Sequence, residues 1–266
     1  MVKIGDRLGR IYDFVRFRVF DFFKYYIPFV DRYNIRLINW WQCMEAIKDP
    51  NMYSRDGFIP APNDLIYDVG SQYGDYAILW AKRYDARVYA IEPVTKNYKK
   101  LLRNIKANGV NVIPWNIAVG NDLPITYSVK NNMAYPDKNG KYATMAPSLD
   151  TIVGTMGIPR IIKIDVEGFE LTVLKGAEKT LMHNDIKVII EAHTAQLKSD
   201  VIDFMANIGY ALDSEGRISG DAINLFFKKG FSNVKFIQNP VTHAYYEIRD
   251  KKSITVKEVY FNGISR

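Results

Sequence analysis

Two acids close two apolar runs in DLIYDVGSQYGDYAILWAKRYDARVYAIEP, residues 64–93: Asp68 and, 24 residues later, Glu92. Gly70 and Gly74 flank the turn after the first run, where a bare backbone allows positive φ and lets a ligand approach closely. A carboxylate at the end of the second run can accept both hydroxyls of a ribose, so the pair suggests a bound nucleoside. Two further segments end apolar runs in titratable groups: KIDVEGFE, Lys163 to Glu170, and EAH, Glu191 to His193. Such groups at neighbouring strand ends would lie ~5 Å apart in a parallel sheet, close enough to share proton-transfer chemistry.

These residues need a sheet to hold them, and the chain from Asp64 onward supplies its pattern. Short apolar runs at Leu65–Val69, Arg87–Glu92, Asn111–Trp115, Ile161–Asp165 and Lys187–Glu191 read as strands. Helices are expected at Asp75–Tyr84, Thr95–Asn108, Glu170–Leu181 and Leu197–Ile208, with Gly109 closing the second. Apolar strands separated by helices imply an α/β fold with a parallel sheet covered on both faces. Asn224–Lys229 is expected as a last strand. Pro124–Lys130 and the Asn139-Gly140 turn signal mark a β-rich insertion expected above the carboxyl edge of the sheet, where a substrate would be read.

Three segments follow: a helical arm over 1–60, the sheet domain over 61–230, and a β-rich extension over 231–266 in which Tyr245–Arg249 pairs with Thr255–Tyr260. In the arm, Ile4, Leu8, Ile11, Val15, Val19, Phe22, Tyr26 and Val30 recur at helical spacing, Pro28 ends or kinks the helix, and a second helix runs from Ile35 to Lys48. A packed arm, on the main domain or on a second copy in a homo-oligomer, is the plain reading. The sharper one lays residues 1–30 on an anionic membrane, with interleaved Arg and Phe reaching the headgroups.

Composition narrows the field. A formal charge of +7 favours an anionic neighbour without choosing one. The single cysteine, Cys43, excludes an internal disulfide and points to a reducing cytoplasm. No run of about eighteen uncharged apolar residues is present, and the charged N-terminus does not read as a secretory signal. His183 and His243 have no acidic company and receive no role.

The nucleoside itself can be narrowed. Gly70-Ser71-Gln72-Tyr73-Gly74 has two glycines where a dinucleotide fingerprint has three. A carboxylate before the turn would repel a pyrophosphate, whereas it suits the cationic amino and sulfonium end of S-adenosylmethionine. A purely structural turn with a solvated acid is the bland alternative. The acids favour a methyl donor.

In order along the chain, YDVGSQYGDYAILWAK, VYAIEP, YKKLLRNIKANGV, NIAVG and IIKIDVEGFELTVLKGAEKTL resemble the FkbM family of S-adenosylmethionine-dependent methyltransferases over roughly Asp64 to Lys229. The resemblance implies a Rossmann-like class I methyltransferase fold, a seven-stranded, mostly parallel sheet whose last strand is antiparallel, and O-methylation of sugar, glycolipid or natural-product hydroxyls. It places Asp68, Gly70, Ser71 and Gly74 around the methionine part of the donor, Glu92 on the ribose and Pro93 at the exit. Asn116, Ile117 and Ala118 would border the adenine, and Asp165 would sit beside the donor's amino group. Ser71-Gln72 departs from the family's usual Ala-Asn, which puts the turn's polar contacts in question.

For transfer to a hydroxyl, the acids after the fourth and fifth strands allow two schemes. His193 or Glu191 serves as general base while Asp165 orients the hydroxyl, or Asp165, Glu191 and His193 hold Mg²⁺. The metal-free scheme is preferred, because Mg²⁺ takes carboxylates and water rather than imidazole. Glu170 reads more simply as a first-turn helix residue, Glu167 reads equally as a helix cap, and His193 as a satisfied strand-end polar group is the plain alternative. Nucleic acid is disfavoured as a partner, since acidic motifs around the site oppose phosphate and no Asn-Pro-Pro-aromatic tetrad is present. A non-catalytic sheet serving as a binding module is the remaining alternative.

Overall fold

The computed structural model describes residues 29–30, 35–37, 51–217, 222–230, 234–238, 245–249 and 257–259. The central elements, in chain order, are β1 (Leu65–Val69), α1 (Asp75–Tyr84), β2 (Arg87–Ile91), α2 (Thr95–Asn108) and β3 (Val112–Trp115). An insertion of β4 (Leu123–Lys130), β5 (Met133–Pro136) and β6 (Tyr142–Ala146) precedes α3 (Leu149–Met156). Then come β7 (Ile161–Ile164), α4 (Glu170–Lys175), α5 (Glu178–His183), β8 (Lys187–Ala192), α6 (Ala195–Asn207), β9 (Tyr210–Arg217) and β10 (Ile223–Lys229). Seven strands form one sheet in the order β9-β10-β8-β7-β1-β2-β3. β10 runs antiparallel to β8 and β9, while β1, β2 and β3 pair in parallel, as do β7 and β8. This is the expected seven-stranded class I arrangement with its antiparallel last strand.

The chain divides into two compact units, residues 1–117 with 131–133 and residues 118–130 with 134–266. In the first, β1 is buried along its whole length and α1 buries Tyr76 to Ala81. Apolar burial on both sides of a strand is what a parallel sheet demands, and each fully buried side chain contributes roughly 1.5–3 kcal/mol. Asn104, fully buried on α2, donates to the Tyr73 carbonyl at 2.9 Å and so fastens the glycine turn to the helix.

In the second unit, β7 is buried throughout and β8 is buried from Val188 to Ala192. Two helix starts are capped by side chains: Ser148 Oγ accepts from the Thr151 N–H and Thr194 Oγ1 from the Leu197 N–H. The three insertion strands form their own sheet in the order β5-β4-β6. Asn131 and Asn132, between β4 and β5, both adopt positive φ, which asparagine tolerates better than other side chains.

Several expectations need correction. Helix Glu170–Leu181 is two helices, α4 and α5, separated by Gly176-Ala177. Gly176 lies so close to the Gly120 carbonyl that a straight helix carrying a side chain there would collide with it. Helix α3 and strand β9 were not foreseen, because Gly154 and the charged Asp213-Ser214-Glu215 weaken their apolar patterns. The helix expected from Ile35 begins instead with a strand. Arg36–Leu37 pairs antiparallel with Phe29–Val30, and Asn108 holds the Arg36 backbone by accepting from its N–H at 2.8 Å and donating to its carbonyl at 2.7 Å. That backbone cannot also serve a helical ladder. The remainder of that helix, and the arm helix over 1–28, lie outside the described residues. In the extension, Tyr245–Arg249 pairs antiparallel with Lys257–Val259 and with Val234–Gln238.

A Cβ at position 176 would meet backbone, which cannot swing aside. Gly176→Ala should therefore cost about 1–3 kcal/mol. Urea unfolding of the full chain measures it, and an unchanged midpoint would show that the close approach is dispensable.

Candidate functional site

The first unit carries the two acids of the glycine turn. Asp68, 1% exposed, lies in β1 with Ala90 of β2 as its register partner. The turn after β1 is held by two amides, Gly70 N–H and Ser71 N–H, that both donate to the Ile91 carbonyl at 3.0 Å. Gly70, Gln72 and Gly74 all have positive φ, so the turn folds tightly over the end of β2. Glu92, 4% exposed, is the clamp. Its Oε2 accepts from the Gln72 N–H at 2.9 Å, and its Oε1 accepts from the Val94 N–H at 2.8 Å and from Asn97 Nδ2 at 3.2 Å. Charge-assisted bonds of this kind are about twice as strong as neutral ones, and they repay part of the cost of burying the carboxylate.

Asn116 is exposed and donates through Nδ2 to the Glu92 and Pro93 carbonyls, at 2.8 and 3.1 Å, so it braces the loop after β2. Pro93 is partly exposed in that loop, and Ala118, buried, belongs to the second unit. The Ser71 hydroxyl is buried with no hydrogen-bond partner among the described residues. A polar group left in that state costs roughly 1–3 kcal/mol unless something binds it.

The second unit gathers an imidazole and four carboxylates. His193, just past β8, places Nε2 3.3 Å from Asp165 Oδ1, 3.6 Å from Glu170 Oε1 and 3.9 Å from Glu167 Oε2, while Nδ1 lies 3.9 Å from Glu191 Oε1. Among the described residues, Nε2 has no hydrogen-bond partner that meets both distance and angle. Lys163, nearly buried, adds a second cation 3.2 Å from Asp165 Oδ2. Glu170 is fully buried and organises the loop: it accepts from the Val166 N–H at 3.0 Å and from the Gly168 N–H at 2.9 Å. Glu167 and Gly168 both have positive φ, so the loop turns back on itself ahead of α4. The insertion reaches this loop through Pro136, whose ring a Cβ at Gly168 would touch.

Burial works against a charge on His193, but contact with Asp165 and the charges of Asp165, Glu170 and Glu167 outweigh it and lift the imidazole to about 9. Burial raises Asp165, yet the Lys163 and His193 cations hold it below the usual carboxylate range. Glu167 and Glu170 are pushed up, chiefly by burial. At neutral pH the imidazole is therefore a cation, a poor base and a good electrostatic anchor.

Asp165, Glu191 and His193 thus do come together, as expected. Glu167 and Glu170, read as helix-end residues, belong to the same cluster. Asp165, Glu170 and His193 bring one potential ligand atom each within 4.8 Å of the others. They do not fit Mg²⁺: imidazole is a poor ligand for it, Asp165 is engaged by Lys163, and both Glu170 oxygens face backbone N–H groups. Asn224 of β10, register partner of Glu191, was missed altogether; its amide is fully buried with no partner among the described residues. An asparagine inside an otherwise apolar strand was the signal.

Among the described residues, no helix is long and apolar enough to cross a membrane. The sequence profile of the family described as "Methyltransferase FkbM domain" matches residues 68–212, more than half of the chain. Among curated proteins, the hexuronic acid methyltransferase AglP of Haloferax volcanii is 29% identical over 151 residues, which cover 54% of this chain and 62% of that protein. The AMB antimetabolite synthetase AmbE of Pseudomonas aeruginosa is 24% identical over 189 residues, covering 53% of this chain and 9% of that protein. The chain thus spans less than two thirds of the length of either relative. A crystal structure of methyltransferase FkbM from Methylobacillus flagellatus KT superposes with a TM-score of 0.51 at 22% identity, covering 66% of this chain and 47% of that one, a likeness of fold. With its motifs in order and the profile matched across β1 to β9, the chain belongs to the FkbM methyltransferase family.

Proposed function

We propose that this protein is an S-adenosylmethionine-dependent O-methyltransferase acting on a sugar hydroxyl, free or carried on a glycolipid, within a domain spanning 61–230. The observation that carries the reading is the pair of buried acids, Asp68 and Glu92, at adjacent parallel strands, with the Ser71 hydroxyl, unpartnered among the described residues, buried in the turn that Glu92 clamps. Asp68 would offset the donor's positive end and Glu92 its ribose, with Gly70, Ser71 and Gly74 giving the close backbone approach, and Pro93 and Asn116 bounding the loop. AglP, a hexuronic acid methyltransferase, supports a sugar acceptor. When bound, the donor supplies an electrophilic methyl on sulfonium.

The second unit would handle the acceptor. Asp165 orients its hydroxyl, and protonated His193, balanced by Glu191 and the neighbouring carboxylates, keeps the acids from repelling one another. A cytoplasmic location and contact with an anionic membrane surface through residues 1–30 complete the reading.

Calorimetry of the full chain should show S-adenosylmethionine binding and no NAD binding. Glu92→Ala should lose donor binding and also lower the unfolding midpoint, since three donors lose their acceptor. Retained binding in that variant would remove the ribose assignment.

The His193 pKa is raised from 6.5 to about 9, so the stability it gives is complete below the lower value and lost as pH rises through the upper. Urea midpoints of the wild type should accordingly fall between about pH 6 and pH 10, and His193→Asn should flatten that fall. A wild type whose midpoint holds steady across this range would show that the imidazole is neutral in the cluster.

A further inference from the structure

We infer that Glu167 is the proton acceptor for the acceptor hydroxyl, an inference that rests on the methyl-transfer reading above. Each other carboxylate of the cluster is already engaged. Asp165 faces Lys163 at 3.2 Å and His193 at 3.3 Å. Glu170 is fully buried and spends its oxygens on the Val166 and Gly168 amides. Glu191 is nearly buried. Glu167 shares Asp165's partial exposure but not its close contact with Lys163. Its side chain is 23% exposed, and among the described residues its carboxylate accepts no hydrogen bond, the nearest cation being His193 Nε2 at 3.9 Å.

The backbone points the same way. Glu167 has φ 54°, in the left-handed region that a glutamate occupies at a cost, and no bond of its own side chain repays that cost. Glycine or asparagine would sit there more comfortably. A conformation held against local preference, presenting a carboxylate with free lone pairs, is the signature of a residue kept for chemistry.

The groups facing it are Asp165 and Lys163 at the end of β7, Glu170 of α4, His193 after β8 and Tyr135 of β5. Burial and the charges of Asp165 and Glu170 raise its proton affinity, which brings a carboxylate closer to the range useful for general-base work. In the reaction, the hydroxyl proton moves to a Glu167 oxygen as the hydroxyl oxygen bonds to the methyl carbon. The carbon–sulfur bond breaks with its electron pair on sulfur, leaving a neutral thioether, an ether and a protonated Glu167.

The test uses the full chain, methyl-labelled S-adenosylmethionine, and methyl glycosides of common hexoses and hexuronic acids. Glu167→Gln should lower kcat by at least about a hundredfold while leaving both KM values within about threefold. Glu167→Asp should recover part of the rate. Glu167→Gly and Glu167→Asn should melt at or above the wild-type temperature while staying as slow as the Gln variant.

Three results would overturn the inference: a Gln variant keeping more than about a tenth of kcat, an alkali-labile label marking a carboxylate acceptor that needs no base, or Gly and Asn variants that melt lower. If wild type labels no glycoside, the methyl-transfer reading fails instead. The melting comparison then still decides whether Glu167 is held against its own stability.

Discussion

A carboxylate withdrawn from water must find donors or cations, and the structure of the first unit follows from how Glu92 meets that demand. Three protein donors converge on it from the glycine turn, from the loop after β2 and from α2. Any one of these alone would be an ordinary cap. Together they make a single charge the meeting point of the glycine turn, 20 residues upstream, with the loop and helix that follow β2, and the positive φ angles of Gly70, Gln72 and Gly74 are held because the turn has somewhere to end. Removing this one carboxylate would consequently loosen all three segments at once.

The second unit solves the same problem differently. Four carboxylates and two cations crowd the ends of β7 and β8, so acid outnumbers base. Backbone amides neutralise Glu170 and lysine holds Asp165, which leaves the imidazole to serve several acids at ion-pair distance without a good hydrogen bond to any. An imidazole in that position is committed to carrying charge. Its value lies in allowing neighbouring acids to coexist.

Much of this was legible in the sequence. The parallel strands were plain because each is a short, mostly apolar run, and the first-unit acids stood at or near their ends. Asp165 and His193 were found for the same reason. Glu170 does open its helix, as read; that Glu167 and Glu170 also come against His193 was hidden, because it depends on the backward fold of the loop. The break between α4 and α5 was hidden because its cause, the Gly120 carbonyl, is 56 residues away in sequence. The strand at Arg36 was equally invisible, since what captures it is one asparagine on α2.

The meeting of the insertion with the loop after β7 has a consequence for how such enzymes diversify. Tyr135 lies in the electrostatic field of Glu167, and Pro136 lies under Gly168. The insertion hairpin therefore shares in setting the surroundings and charge of the loop's acid. Exchanging this hairpin for that of another family member would retune acid strength in the loop at the same stroke. Chimaeras that exchange it would then differ in the proton affinity of Glu167 as well as in the hairpin's own surface.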